Sequence, residues 1–415
     1  MEYRYAMLKD PDKEISDHTE LELERERARL ELEESLRSQA GRDYQRLVSG
    51  MREQVLNYMA ENPGMSVSEV ASQFGIREHT IRAWKAHRTM GTYQKKKGAE
   101  LSEEESEPLF NLNKKKQRKA GFVLRKRQTA FIHYFDKTPE GIICPHFYIL
   151  AFANGCPFEC QYCYLNLTLR HWPEPTVFSN TARMFQEIRD WLYATKKPSV
   201  LNAGELSDSL VWDGEIKLTE NLVPLFAEQS RHKLLLLSKS ANIFELLKQE
   251  PSPQVIVSFS VNAPEVSAKF EKKAPRPEKR LAAAKALKLQ GWRVRLRLDP
   301  VVPVPNWKDA YEPLLDEINA VSPETVTLGS LRFFANLRNH ARSGDEVFRY
   351  GVDERDPDGR WRVPFDLRLE MYEHFIKRLN SAGSGLRLGL CKETVKMHRL
   401  LGIPGEKQSC NCSYD

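Results

Sequence analysis

Residues 146–165 read HFYILAFANGCPFECQYCYL: an apolar run, a glycine, then Cys156, Cys160 and Cys163 in a C-x3-C-x2-C spacing. The first half has the length and apolar character of a buried strand. The second half places three of the chain's seven cysteines within eight residues, on a loop leaving the end of that strand. A structural zinc site needs a fourth ligand to close its tetrahedron, and no fourth cysteine is nearby. Three thiolates suit a [4Fe-4S] cluster with one iron left open for a substrate or cofactor.

Outward from this stretch, short apolar runs alternate with segments of helical length: SVLNAG, KLLLLSK, QVIVSFSVN, WRVRLRLDPVV and TVTLGSLR follow the first run. Helices are expected near 183–193 and 218–229. This alternation predicts repeated βα units and a parallel sheet, an α/β fold with a partial (β/α)6 barrel over residues 131–345. Polar residues stand where the strands end: Asn202, Glu205, Lys239, Ser260, Asn262, Asp299 and Arg332. In such barrels the C-terminal strand ends form the reaction face. Arg293, Arg295 and Arg297 alternate along one strand and should share a face, either inward toward an anion or outward against paired acids, with Arg297 nearest the strand end.

The whole chain has 415 residues, 41% of them hydrophobic and 29% charged, with a net charge of +6, as expected for a multidomain soluble protein. No window is apolar enough to span a bilayer and the N-terminus lacks signal-peptide character, so no membrane partner and a cytoplasmic setting are expected. An odd, clustered set of cysteines points to metal or redox chemistry rather than a disulfide framework.

The N-terminal third is different in kind. Residues 1–48 contain a Glu/Arg/Leu-rich stretch that reads as an exposed charged helix. Residues 49–92 carry MSVSEVASQFGIREHTIRAWKAHR, in which Ser66 or Ser68 can cap a helix, Gly75 can turn, and a second helix places Ile81 and Trp84 on one face. This predicts an all-α helix-turn-helix region with Arg77, Arg82, Lys85 and Arg88 available for DNA phosphate; a helical interaction domain would pack identically. Residues 93–130 read as a linker with an acidic run and a basic run containing Lys114, Lys115 and Arg125, with Phe122 as an anchor, suited either to solvent or to a nucleic-acid backbone.

Beyond residue 345 an extension to residue 415 holds Cys391 and the pair Cys410 and Cys412. With His398 nearby, these thiols could bind an auxiliary iron–sulfur cluster or zinc, or simply be packed thiols. Cys144, before a proline at the start of a strand, reads as a packed small residue. Arg338, like Arg332, follows the last strand and could hold phosphate, and Phe333 and Phe334 could stack on a base or fill the core.

The cysteine spacing after a first barrel strand resembles the radical S-adenosylmethionine superfamily. CQYCYL, LSDSL, LLLLSK, FSVN, KRLAAAKAL and DPVVPVPNW occur in the order seen in the spore photoproduct lyase family, a resemblance covering about residues 142–342. It implies that Cys156, Cys160 and Cys163 hold the cluster and that S-adenosylmethionine binds its open iron. Cofactor contacts would fall to Glu205, Ser207, Lys239, Ser260 and Asn262, and radical return to Tyr162 and Tyr164. It further implies an external one-electron donor such as flavodoxin or ferredoxin, and a 5'-deoxyadenosyl radical that attacks a crosslinked thymine pair in DNA.

One position departs from that family. Where its members carry a hydrogen-donating cysteine before a Ser-Asp pair, this chain reads AGELSD with Glu205. A carboxylate cannot donate a hydrogen atom as a thiol does, because its O–H bond is far stronger. Glu205 instead resembles the glutamate with which many radical enzymes hold the methionine ammonium. The expected activity is therefore lyase-type repair through another donor, or an isomerase-type rearrangement of a modified thymine in DNA hypermodification. Radical modification of RNA or a peptide, and an iron–sulfur DNA-binding regulator, are the competing classes.

Overall fold

The structure, a computed structural model, describes residues 55–74, 78, 81–82, 84–85, 112, 114–172, 174–350, 354–356, 359–381, 386–403, 405 and 409–414. The charged helix expected before residue 49 lies outside these residues, as do Arg77, Arg88 and the side chains of Lys114 and Lys115. The chain divides into two compact units, Met1–Gln94 and Lys95–Asp415.

In the first unit, residues 55–61 and Val67–Phe74 are helical. Ser66, rather than Ser68, caps the second helix: its Oγ accepts from the Glu69 N–H at 3.2 Å while the Glu69 carboxylate accepts from the Ser66 N–H at 2.7 Å. This reciprocal capping box satisfies two amide groups that a helix start leaves orphaned. Val55, Val70, Ala71 and Ile81 are buried together, with Tyr58, Phe74 and Trp84 packed around them. A buried aliphatic side chain contributes about 1.5–3 kcal/mol, so even this small core supports a helical unit. The helix over residues 55–61 supplies Val55 to this core.

The second unit is built on an eight-stranded sheet. Its strands are β1 (Ile132–Phe135), β2 (Phe147–Leu150), β3 (Val200–Asn202), β4 (Lys233–Ser238), β5 (Val255–Ser260), β6 (Arg293–Val301), β7 (Thr325–Ser330) and β8 (Arg387–Leu390). Spatial order follows chain order; β1 pairs antiparallel with β2, and every later pairing is parallel. All six strands expected from the sequence are present as β2–β7.

Each parallel crossover contains a helix: α1 (Thr181–Ala194), α2 (Leu218–Ala227), α3 (Phe244–Leu247), α4 (Pro277–Gln290), α5 (Trp307–Val321) and α6 (Phe365–Asn380). In α1 the buried residues Met184, Phe185, Ile188 and Trp191 recur at helical spacing and form the face turned to the sheet. α4 starts on Pro277 and stops at Gly291, whose φ of 104° only glycine adopts readily.

Two expected boundaries shift. β8 and α6 belong to the same sheet and helix layer, so the barrel runs well beyond residue 345 rather than ending in a separate extension. At the other end, residues 123–125 pair with residues 176–178, and Phe122 is buried against Trp212 with ring centroids 5.2 Å apart. Phe122 therefore anchors the protein core, and the linker expected up to residue 130 is already folded from residue 114. Apolar residues thinly spread in a basic stretch hid this, since charge dominates composition there.

The sheet edges are joined. Ile142 and Ile143, between β1 and β2, pair antiparallel with Thr394 and Glu393, just after β8. Inside, residues 409–414 lie on the concave face: the Asn411 N–H donates to Thr327 Oγ1 at 2.6 Å, and Ser258 Oγ donates to Asn411 Oδ1 at 2.5 Å. Arg295 donates to the carbonyls of Asn411 at 2.9 Å and Ser413 at 2.7 Å. Of the two readings of the arginine row, the inward one holds, but with paired acids: Glu324 serves Arg293 and Arg295, and Asp299 serves Arg297.

Candidate active site

A cavity of about 500 Å³ opens at the C-terminal ends of the strands, and all seven cysteines line it. The loop after β2 is held from several sides. Gly155 has φ 87°, and a Cβ there would stand 3.2 Å from Pro175 Cα, so both backbone and space call for glycine. Its carbonyl accepts from Ser207 Oγ at 2.7 Å, and its N–H donates to the Leu206 carbonyl at 2.9 Å. The Gln161 N–H donates to the Phe270 carbonyl at 2.9 Å, and Asn166 Nδ2 to the Cys160 carbonyl at 3.1 Å. Such a loop presents Cys156, Cys160 and Cys163 on a fixed frame.

Burial pushes all three thiols above their ordinary pKa; a bound metal would supply the charge that holds them as thiolates. Among the described residues no group of three or more His, Cys, Asp or Glu is arranged to hold a single metal ion. Thiolates on a cubane bind different irons and stand wider apart than those sharing one zinc. Three cysteines on one buried loop beside a roomy cavity fit a [4Fe-4S] cluster with an open iron.

Opposite the loop, Gly204 packs so closely on β4 that a Cβ would lie 2.5 Å from the Leu237 carbonyl oxygen. That contact turns Glu205 into the cavity, where Asn202 Nδ2 stands 3.4 Å from its Oε2 and the Tyr164 hydroxyl donates to its main-chain carbonyl. Asp208 accepts from the Lys239 N–H at 2.6 Å, from Ser238 Oγ at 2.7 Å and from two amides of its own turn, joining the ends of β3 and β4. Lys239 reaches back into the cavity, 3.3 Å from Glu271.

Glu271 is the electrostatic centre beneath the cluster loop. It is fully buried, accepts from Arg280 at 2.5 Å and from the Tyr162 hydroxyl, and sits beside Lys239. Burial alone would raise its pKa; Lys239 and Arg280 outweigh that and hold it at about 2. On the far wall, Arg332 pairs with Asp299 at 2.7 Å and, with Arg297, contacts Cys391 Sγ at 3.1 and 3.2 Å. Burial opposes the charge on Asp299, but Arg332 and Arg297 keep its carboxyl well below the usual range.

The chain is similar to known proteins over the segment that carries this site. The profile described as spore photoproduct lyase matches residues 111–341, more than half of the chain. The chain belongs to the spore photoproduct lyase family. A spore photoproduct lyase of Clostridium acetobutylicum is 25% identical over 248 residues, covering 56% of this chain and 73% of that protein. That of Bacillus subtilis is 24% identical over 181 residues, 43% of this chain and 53% of its relative, so the chain aligns with about half of that protein. A solved spore photoproduct lyase variant with bound AdoMet and dinucleoside spore photoproduct shares the fold, with a TM-score of 0.55, 18% identity, and coverage of 67% of this chain and 85% of that one. A second profile, the helix-turn-helix described as transposase, matches residues 51–114.

Within this spore photoproduct lyase frame, Glu205, Ser207, Lys239, Ser260, Tyr162 and Tyr164 all line the cavity. Asn262 does not: it is buried, donating from Nδ2 to the Pro300 carbonyl at 2.8 Å and accepting from the Tyr311 hydroxyl at 2.8 Å, so it ties β5 to β6. Arg332 is committed to Asp299 and Cys391 inside the cavity rather than to an outer phosphate surface. Arg338 donates to the Phe348 carbonyl at 2.9 Å, and Arg125 stacks over Trp172 at 5.8 Å. Arg82 is exposed and pairs with Glu78 at 2.7 Å, and Lys85 is exposed. Phe333 is buried while Phe334 is 41% exposed, and both line the cavity.

His398 is buried elsewhere, its Nδ1 bonded to the Ile403 carbonyl at 3.3 Å, and is no partner of the C-terminal cysteines. Cys144, expected in the core, instead reaches the cavity. Glu271, Asp208 and Asp299 act together with residues far away in the chain; Asp299, at a strand end, and Asp208, inside the LSDSL element, had a local signal, and Glu271 had none.

Proposed function

We propose that this chain is a radical S-adenosylmethionine enzyme acting on a thymine-type base in DNA. The observation that carries this reading is the convergence of Cys156, Cys160 and Cys163 with Glu205, Lys239 and Ser260 around one cavity at the strand ends of a spore photoproduct lyase-family barrel. The helix-turn-helix supports DNA over RNA or a peptide, and the cavity supports an enzyme over a regulator. The work belongs in the cytoplasm, where DNA and a flavodoxin or ferredoxin electron donor meet.

When bound, the cluster and S-adenosylmethionine supply one-electron chemistry ending in abstraction of a hydrogen atom. The chain's own residues bind and orient. Glu205 offers a carboxylate to the methionine ammonium, a charge-assisted bond about twice as strong as a neutral one. Lys239, fixed by Asp208 and Glu271, sets the charge beside the cluster loop, and Ser260 supplies a hydroxyl at the end of β5. Tyr164 spans from the cluster loop to Glu205 and is positioned for hydrogen return, whereas Tyr162 is buried under the loop with its hydroxyl committed to Glu271. Catalytic contact therefore falls to Tyr164, with Tyr162 in a positioning role.

Glu205 at the place of the donor thiol favours a rearrangement, in which the abstracted hydrogen returns to product, over repair by the usual route. The deciding experiment incubates anaerobically reconstituted protein with reductant, S-adenosylmethionine and DNA containing spore photoproduct, followed by mass spectrometry of nucleosides and 5'-deoxyadenosine. Restored thymine means lyase-type repair. Deoxyadenosine without thymine points to a modified thymine as substrate. No cofactor cleavage with any DNA, against cleavage with RNA or a peptide, overturns the reading.

A further inference from the structure

The four cysteines outside the cluster loop come from three separate segments and meet on one wall of the cavity. Cys144 follows the short strand Ile142–Ile143, and Cys391 precedes its pairing partner Glu393–Thr394. The pairing of Ile143 with Glu393 brings the segments carrying Cys144 and Cys391 together across the joined sheet edges, and the two thiols interact electrostatically. Cys410 and Cys412 arrive on the tail inside the barrel, with their thiols in contact with one another. The tail is seated by the bonds from Asn411 to Thr327, from Ser258 to Asn411, and from Arg295 to two tail carbonyls. Gly389 leaves room for it: a Cβ there would come within 2.6 Å of Cys410 Cα.

We propose that Cys144, Cys391, Cys410 and Cys412 bind a second iron–sulfur cluster, distinct from the one held by Cys156, Cys160 and Cys163. Four thiols from separated segments, all open to one cavity, are the complement that a closed four-cysteine cluster requires. The surroundings suit its charge. A cluster with four thiolates is anionic, and two guanidinium groups, Arg297 and Arg332, point at Cys391 Sγ; Asp299 pairs with both, and Glu205 also faces Cys144 and Cys412. Hydrogen bonds of this kind to a ligand sulfur also raise a cluster's reduction potential. Assembly exchanges the four thiol protons for bonds to iron, with no change in the protein's own oxidation state.

The test reads metal, not turnover, and so stands apart from the choice of substrate. The full chain and its Cys156→Ala/Cys160→Ala/Cys163→Ala variant are reconstituted anaerobically with iron and sulfide, then assayed for iron, acid-labile sulfide and Mössbauer spectra, with circular dichroism checking the fold. The expected result is that the variant keeps about half of the wild-type iron and sulfide, as an intact cluster. A variant stripped of all iron overturns the proposal. In the converse variant, Cys391→Ser/Cys412→Ser, about half of the iron should be lost while the first cluster's spectrum persists. A full complement of iron in that variant overturns it equally.

Discussion

Gly389 on β8 faces the main chain of Cys410: a Cβ at this glycine would lie 2.6 Å from Cys410 Cα and 2.6 Å from the Ser409 carbonyl oxygen. The close approach allows the C-terminal tail to lie on the sheet and fill the barrel. Backbone meets backbone here, so neither side can yield by turning a side chain. Gly389→Ala should therefore lift the tail and destabilise the protein by about 1–3 kcal/mol. Thermal denaturation should show a lowered Tm, and hydrogen exchange a loss of protection confined to residues 409–414 and their partners; an unchanged Tm would refute the packing account.

Glu271 ties Arg280, Lys239 and Tyr162 together beneath the cluster loop. Removing its charge strands a fully buried guanidinium, since Arg280 has no exposed side-chain surface. Glu271→Gln should cost about 3–5 kcal/mol in chemical denaturation, far more than loss of an exposed ion pair. A cost under about 1 kcal/mol would mean the group behaves as a surface pair.

Acid should unfold the barrel unit through the same group. Burial raises the Glu271 carboxyl, but Lys239 and Arg280 hold it down from 4.5 to about 2. Glu324 is likewise held at about 2, with Arg293 and Arg295 overriding its burial. A carboxylate whose folded pKa is depressed contributes stability that is complete above its unfolded pKa and is lost as pH falls through the folded one. Stability should thus be steady above about pH 5 and fall between about pH 4.5 and 2, and this fall should be shallower in Glu271→Gln. Denaturant titrations across that range measure it.

Arg82 lies in the helical residues that follow Val67–Phe74 in the N-terminal unit, with its side chain 68% exposed. As a phosphate contact, its replacement by Ala should weaken DNA binding several-fold on any sequence and reduce the slope of log affinity against log salt by about one. Its surface ion pair with Glu78 is worth little, so the helical fold should be unaffected. Fluorescence anisotropy at several salt concentrations separates the two effects; an unaltered slope would remove Arg82 from the interface.

By itself the sequence determined the alternating βα plan, the cluster loop and the helix pair of the N-terminal unit. These are local: hydrophobic period, cysteine spacing and capping residues act within a few positions of each other and leave a readable pattern. It also marked Glu205, because the departure from a family element lies within a single turn of chain. Tertiary structure alone decided that Cys144 joins Cys391, that the tail enters the barrel, that Asn262 and Arg332 serve internal partners, and that Glu271 balances two cations. The first two depend on the sheet curving until Ile143 meets Glu393 and β5 faces the tail. Burial and charge pairing between residues up to about 250 positions apart follow from that closure, and no local pattern of side chains encodes it.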